Sequence, residues 1–319
     1  MSHLYRIASN TFRESIREPV YFLMLLSALL LIGHYPWMTL FVFFEQLKLV
    51  VDSAMATTML FSMAIAVLCA SYTVSREMRN GTVLLLLSKP VPRWSFVLGK
   101  IAGIALAALL FCLVCCMGSV ISVYIAVDQF RMEMHLYGAF VGLLGCGCIA
   151  GMAMNYLKGN SFAEFATYAT AVLVAGMFIY CLKCSPHPAL SLKDLGKALL
   201  LLNVGVVLMS TIAVGTATRL DVVPTMSLCS VFFFLGLMSS HLFLRTTDSQ
   251  LLNIICDFCY AVIPNWQFFW LADAIAVGRT IPDNYVLNAC IYGGIYFIIA
   301  CIWAIALFQD REAAAGTHD

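Results

Sequence analysis

The sequence predicts an all-α, polytopic membrane protein of about eight spans, and three observations carry that prediction. Of 319 residues, 62% are hydrophobic and only 11% are charged, whereas an ordinary soluble domain is about 25% charged. The mean hydropathy is +0.92. The apolar residues also gather into runs of about 20, the length a helix needs to cross the hydrocarbon core.

Residues 1–19 are expected to form an amphipathic helix lying at the interface. Leu4, Ile7, Thr11, Phe12 and Ile16 recur near helical spacing, while Arg6, Asn10, Arg13, Glu14 and Arg17 fall largely on the other side. Glu14 and Glu18 precede an apolar run too long for a signal-peptide core, so the segment is expected to be retained. Residues 20–319 then read as a single transmembrane domain, with spans near 21–40, 55–74, 96–127, 136–157, 162–182, 198–218, 222–244 and 286–308. Pro36, in the run His34-Tyr35-Pro36-Trp37, marks a place for the first span to end early.

Orientation follows from the basic residues. With the N-terminus inside, one side holds Arg6, Arg13, Arg17, Arg76, Arg79, Lys89, Arg93, Lys100, Lys158, Arg219 and Arg311. The other holds only Lys48, Arg131, Lys183, Lys193, Lys197, Arg245 and Arg279. This bias predicts that both termini are cytoplasmic. Three lysines between 183 and 197 run against it, and a re-entrant segment there would reduce the count to six or seven spans.

What the spans lack excludes several functions. The stretches 55–75, 101–127, 136–157, 165–182, 198–218, 222–244 and 286–309 contain no Asp, Glu, Lys or Arg, so the buried relays of an ion-coupled carrier are missing. His241 is read as interfacial, and Glu164 as a solvated or helix-starting residue. The formal charge of +1 gives no basic surplus for nucleic acid. There is no phosphate-binding Gly-rich loop, His-Glu-x-x-His or Gly-x-Ser-x-Gly, so the chain is not expected to be an enzyme and no cofactor or metal site of its own is assigned. Of the thirteen cysteines, Cys112, Cys115, Cys116, Cys146 and Cys148 sit inside apolar runs as small packing residues. Cys181 with Cys184 and Cys256 with Cys259 are spaced for a disulfide or a soft metal, but without a second pair at finger spacing.

The loop 75–100 is the most informative segment. Gly81 and Thr82 suit a helix break and restart, Leu84 to Leu87 form a short apolar face, and Pro90 with Pro92 stop it. Between basic flanks this is either a greasy knob that inserts into a groove on a cytosolic partner, rimmed by Arg76, Glu77 and Arg79, or a basic loop that only fixes topology.

The run of Glu77, Gly81-Thr82, Leu84 to Leu87, Lys89-Pro90, Arg93 and Gly99-Lys100 resembles the signature of the type-two ABC exporter permeases, membrane subunits related to the nitrous-oxide reductase maturation and gliding-motility transporters. Thr11-Phe12-Arg13-Glu14 with Arg17, Thr218-Arg219-Leu220, Ile263-Pro264-Asn265 and Phe308-Gln309-Asp310-Arg311-Glu312 agree with it. The likeness is strong over 74–100, looser at the N-terminus and over the last hundred residues, and poor over 126–197.

That resemblance implies a pair of membrane subunits, two copies or a copy and a paralogue, working with cytosolic ABC ATPase subunits that bind ATP and Mg²⁺. It makes Glu77, Gly81, Thr82, Leu84, Leu85 and Arg93 the ATPase-coupling residues and places Arg13 and Arg17 on the connecting helix 1–19. These permeases commonly have six spans, and this chain departs from them with eight. By the same analogy the extracytoplasmic segment 245–285, with Trp266, Phe268, Phe269, Trp270 and Asp273, forms short outer helices capping the path; on composition alone it reads equally as an aromatic belt. The expected protein is thus an exporter permease in a bacterial cytoplasmic membrane. The alternative is a non-transporting scaffold that docks a cytosolic protein through the same loop, and the substrate is not legible.

Overall fold

The computed structural model describes residues 2–42, 45–79, 92–127, 131–184, 190–243 and 250–315. The chain begins with α1 (Ser2–Arg17) and α2 (Pro19–Met38), followed by a 3₁₀ turn, Thr39–Phe41. Next come α3 (Gln46–Ala70), a π-helical turn (Ser71–Ser75), the short α4 (Arg76–Arg79) and α5 (Arg93–Ile125). Two short strands, β1 (Ala126–Val127) and β2 (Arg131–Met132), pair antiparallel with Ala126 opposite Met132. The remainder is α6 (Met134–Lys158), α7 (Phe162–Cys184), α8 (Leu192–Ala217), α9 (Val222–Phe243), α10 (Gln250–Val262), a 3₁₀ turn (Trp266–Phe269), α11 (Ala272–Ala276) and α12 (Asp283–Ala315).

Among the described residues, eight helices are long and apolar enough to span a membrane: α2, α3 with its π turn, α5, α6, α7, α8, α9 and α12. The chain is therefore an all-α integral membrane bundle, and both segments flanking the 183–197 lysines are full-length helices. In lipid, helices satisfy every backbone group internally, so what distinguishes the spans is how they pack. The most buried are α3, α5 and α8, whereas α6, α9 and α12 face largely outward.

Hydroxyls join the central spans. Tyr21 Oη donates to Ala107 O (2.8 Å), Ser122 Oγ to Ile32 O (2.7 Å), and Thr58 Oγ1 lies 3.0 Å from Ser119 Oγ. Such side chains act as polar glue where apolar surface gives helices no preference for each other over lipid. Four-residue glycine spacing has mixed outcomes. Gly147 and Gly151 face Thr170 and Ala166 of α7 and bring α6 close to it, but Gly138 and Gly142 meet nothing. The α6–α7 hairpin closes through Gly159 at φ +65, the left-handed cap that glycine adopts without strain.

Two expectations change, and one lysine of the 183–197 group finds acidic partners. Helix α2 does not end at Pro36 but continues to Met38; the proline leaves the carbonyl four residues earlier, Ile32 O, without its helical donor, and Ser122 Oγ of α5 donates to it at 2.7 Å. Trp266 and Phe269 are fully buried in the main core rather than spread in a belt. Lys197, one of the lysines that opposed the charge bias, lies 2.7 Å from Asp283 and 3.7 Å from Asp194 and donates to Ile281 O at 2.6 Å.

Candidate functional site

With eight spans, α1, α4, the α6–α7 turn, the α8–α9 turn and the end of α12 share one face, here the terminal face. Ser75 Oγ reaches Ala217 O (3.2 Å) and Leu220 O (2.8 Å), and Arg219 Nε donates to Leu307 O at 2.8 Å. These bonds fix the ends of α3, α8 and α12 to one another.

Helix α1 lies across α5. Its buried side is Ala8, Thr11, Ser15 and Ile16, and it approaches because Gly99 and Gly103 have no side chains. A Cβ on Gly103 would come within 2.6 Å of Ala8 O, and one on Gly99 within 2.8 Å of Ile7. That is close helix contact through small residues.

The last turn of α1 and the residue after it then engage three other elements. Lys100 Nζ donates to Glu77 Oε1 at 2.7 Å and lies 3.8 Å from Glu14 Oε2, with only 5% of its side chain exposed. It also stands 5.9 Å above the Phe96 ring, which contacts Phe308. Glu18 pairs with Arg76 at 3.8 Å, and Arg17 Nε donates to Glu164 Oε2 at 2.7 Å. A buried ammonium is tolerated only when paired, so Lys100 is the keystone of this junction. Burial, with Glu77 and Glu18 nearby, holds the Glu14 carboxyl above its ordinary range although Lys100 opposes this. The Glu164 hydrogen bond raises the Arg17 guanidinium further.

Of the expected coupling residues, Glu77 sits in this junction and Arg93 is the first residue of α5. Gly81, Thr82, Leu84 and Leu85 lie outside the described residues. The chain enters their segment after Arg79 and leaves it before Pro92, between Glu77 and Lys100 in sequence. Of the two arginines expected on the connecting helix, Arg13 is exposed and Arg17 is bridged to Glu164. Of the two expectations for Glu164, the helix-starting one holds, since it lies in the first turn of α7; the solvated one does not, since it is buried and ion-paired. Nothing local could have shown this, because its partner is 147 residues away.

A second feature was not legible in the sequence. Along α3 and α9 runs a half-open groove made of two cavities that share Leu60 and Phe233. The cavity nearer the terminal face, of about 330 Å³, is lined by apolar side chains of α2, α3, α8 and α9, including Met24, Met63, Met209 and Met226. The other, of about 600 Å³, opens toward the opposite face and adds His241, Gln267, Trp270 and Asp273. Gln267 fastens its rim: Nε2 donates to Leu237 O at 2.8 Å and Oε1 accepts from Ser240 Oγ at 2.5 Å. Among the described residues no group of acids, histidines and cysteines is placed to hold a metal. Cys181 is buried and Cys184 exposed, so the pair faces two environments.

A family model described as ABC-2 family transporter protein matches residues 17–181, just over half of the chain. The match runs from the end of α1 through nearly all of α7 and includes 126–181, where the resemblance by motif was poorest. A comparison with curated proteins finds no match.

Proposed function

The chain belongs to the ABC-2 family of transporter proteins, and on that premise we propose that it is the permease subunit of an ATP-driven exporter, powered by a separate cytosolic ABC ATPase that docks on the terminal face. One observation carries this reading. Helix α3 leads at one end into the Glu77–Lys100 junction and along its length lines the groove through Ala56, Met59, Leu60 and Met63. A displacement applied at 80–91 therefore reaches the groove wall through α3, while α5, on the other side of that segment, is clamped by α1.

In this reading residues 1–19 are the connecting helix, 20–319 the permease domain, 75–100 the coupling loop and 245–285 the outer cap. Glu77, Gly81, Thr82, Leu84, Leu85 and Arg93 make or support the ATPase contact, with Arg13 and Arg17 on the connecting helix. The terminal face is cytoplasmic and the membrane is the inner membrane of a bacterium. ATP and Mg²⁺ belong to the partner, so this chain performs no hydrolysis. A second permease copy or a paralogue completes the assembly, and a groove open on one side suits alternating exposure at such an interface.

The test is co-purification with the ABC ATPase encoded nearest to this chain, comparing wild type with Leu84→Asp, which leaves the Glu77–Lys100 pair intact. Loss of both the complex and the ATPase stimulation, with the variant still inserted in the membrane, is expected. Capture without stimulation by the wild type would favour a scaffold that docks a cytosolic protein; absence of capture would remove the permease reading.

A further inference from the structure

We propose that the groove takes an amphipathic cation, with an apolar body lodged between α3 and α9 and a positively charged head at the end facing away from the terminal face, beside Asp273 and Trp270. This rests on the permease reading and adds the substrate class to it.

The two cavities differ in a way that imposes polarity on an occupant. The inner one offers methionine, leucine and phenylalanine, with Ser230 and Cys229 as its only polar side chains. Methionines adapt to irregular apolar shapes, so this part selects for hydrophobicity rather than for a particular outline. No group there can satisfy a charge. The outer cavity places an exposed carboxylate, Asp273, with the half-buried indole of Trp270 in the same wall. An aromatic face beside a carboxylate is how proteins hold ammonium groups, because the ring quadrupole and the full charge attract the same cation.

The surrounding charges point the same way. Asp52 lies one turn before Ala56 on α3, and its Oδ1 is buried without a hydrogen-bond partner among the described residues. Asp52 and Asp273 are close enough to repel each other electrostatically. The nearest base acting on Asp52 is Lys48, and Glu45 holds it at 3.2 Å. Among the described residues that line the outer cavity, Asp273 is the one carboxylate and there is no Lys or Arg, so a cation would meet attraction there and an anion repulsion. The two volumes together, about 330 and 600 Å³, lie in the usual range for one small-molecule ligand, roughly 300–1,000 Å³.

The experiment needs no ATPase, which keeps its failure separate from failure of the coupling reading. The chain is reconstituted in nanodiscs of zwitterionic lipid, and fluorescence anisotropy compares rhodamine 6G, a lipophilic cation, with fluorescein, an anion on the same ring system, after subtracting empty discs. The expected result is saturable rhodamine binding at least about tenfold tighter than fluorescein binding, weakened about tenfold by Asp273→Asn, one lost charge contact. Asp273 is exposed, so this variant is not expected to disturb folding. Leu60→Trp, which fills the junction of the two cavities, is expected to abolish the binding. Equal affinity for the two dyes, or unchanged affinity in Asp273→Asn, overturns the proposal. If rhodamine binding behaves as expected but no ATPase is captured, the site stands and the permease reading falls.

Discussion

Lys100 and Glu77 meet at 2.7 Å on the terminal face, and the ammonium is almost wholly buried while the carboxylate is about one-fifth exposed. They bracket the segment 80–91, so this pair ties the entry of that segment to its exit.

Removing one partner of such a pair leaves an uncompensated buried charge. Glu77→Ala is expected to destabilise the protein by about 3 kcal/mol, at the lower end of the usual cost because Glu14 and the Phe96 ring stay near the ammonium. Glu77→Leu with Lys100→Met is expected to recover part of the loss. Thermal unfolding in detergent measures this; a double variant less stable than Glu77→Ala would show that the pair is not what holds the junction.

The Arg17–Glu164 bridge is lopsided, with 58% of the arginine side chain exposed and only 10% of the glutamate. Arg17→Ala strands a buried carboxylate and is expected to cost about 1–2 kcal/mol. Glu164→Gln leaves a cation that water can solvate, so the loss should be smaller. Combining the two should cost less than Arg17→Ala alone, and melting temperatures in this order are the check.

Glu14 gives the docking of α1 a pH dependence. Its carboxyl is raised above 4.5 in the folded protein, first by burial, so docked α1 holds the proton more tightly than free α1. Docking is therefore weakest above the folded pKa, strengthens as pH falls through it toward 4.5, and gains nothing further from this group below that. Amide hydrogen exchange across α1, corrected for intrinsic rates, should show this trend in wild type, and Glu14→Gln should remove it. An unchanged slope in the variant would assign the trend to another group.

Gly103 and Gly142 offer a matched comparison. A side chain at Gly103 meets Ala8 O and Thr11, whereas Gly142 has nothing within 4 Å. Gly103→Val is expected to dislodge α1, raising its hydrogen exchange by an order of magnitude or more, an overpacking penalty of about 1–3 kcal/mol. Gly142→Val should leave α1 unaffected. Equal effects would mean that α1 does not dock through this surface.

Much of this molecule is written locally in its sequence. Each span is a run of apolar residues in a solvent that forces helices, so the number of spans and the all-α class follow from composition within about 20 residues. The two-sided pattern of α1 and the presence of Glu77 and Lys100 in the loop 75–100 are equally local. The tertiary structure alone decided which charges meet. Glu164 read as solvated or helix-starting from its immediate neighbours; it does start α7, but its burial and its partner Arg17 came only when α7 was set beside α1. Trp266 and Phe269 suited an interface equally well until Trp266 packed against α9 and Phe269 against α8 and α12. The groove joins Leu60, Phe233 and Asp273 from three distant segments, and only helix placement brings them together. Ion pairs and cavities depend on distances between residues far apart in the chain, and hydrophobic periodicity holds no information about those distances.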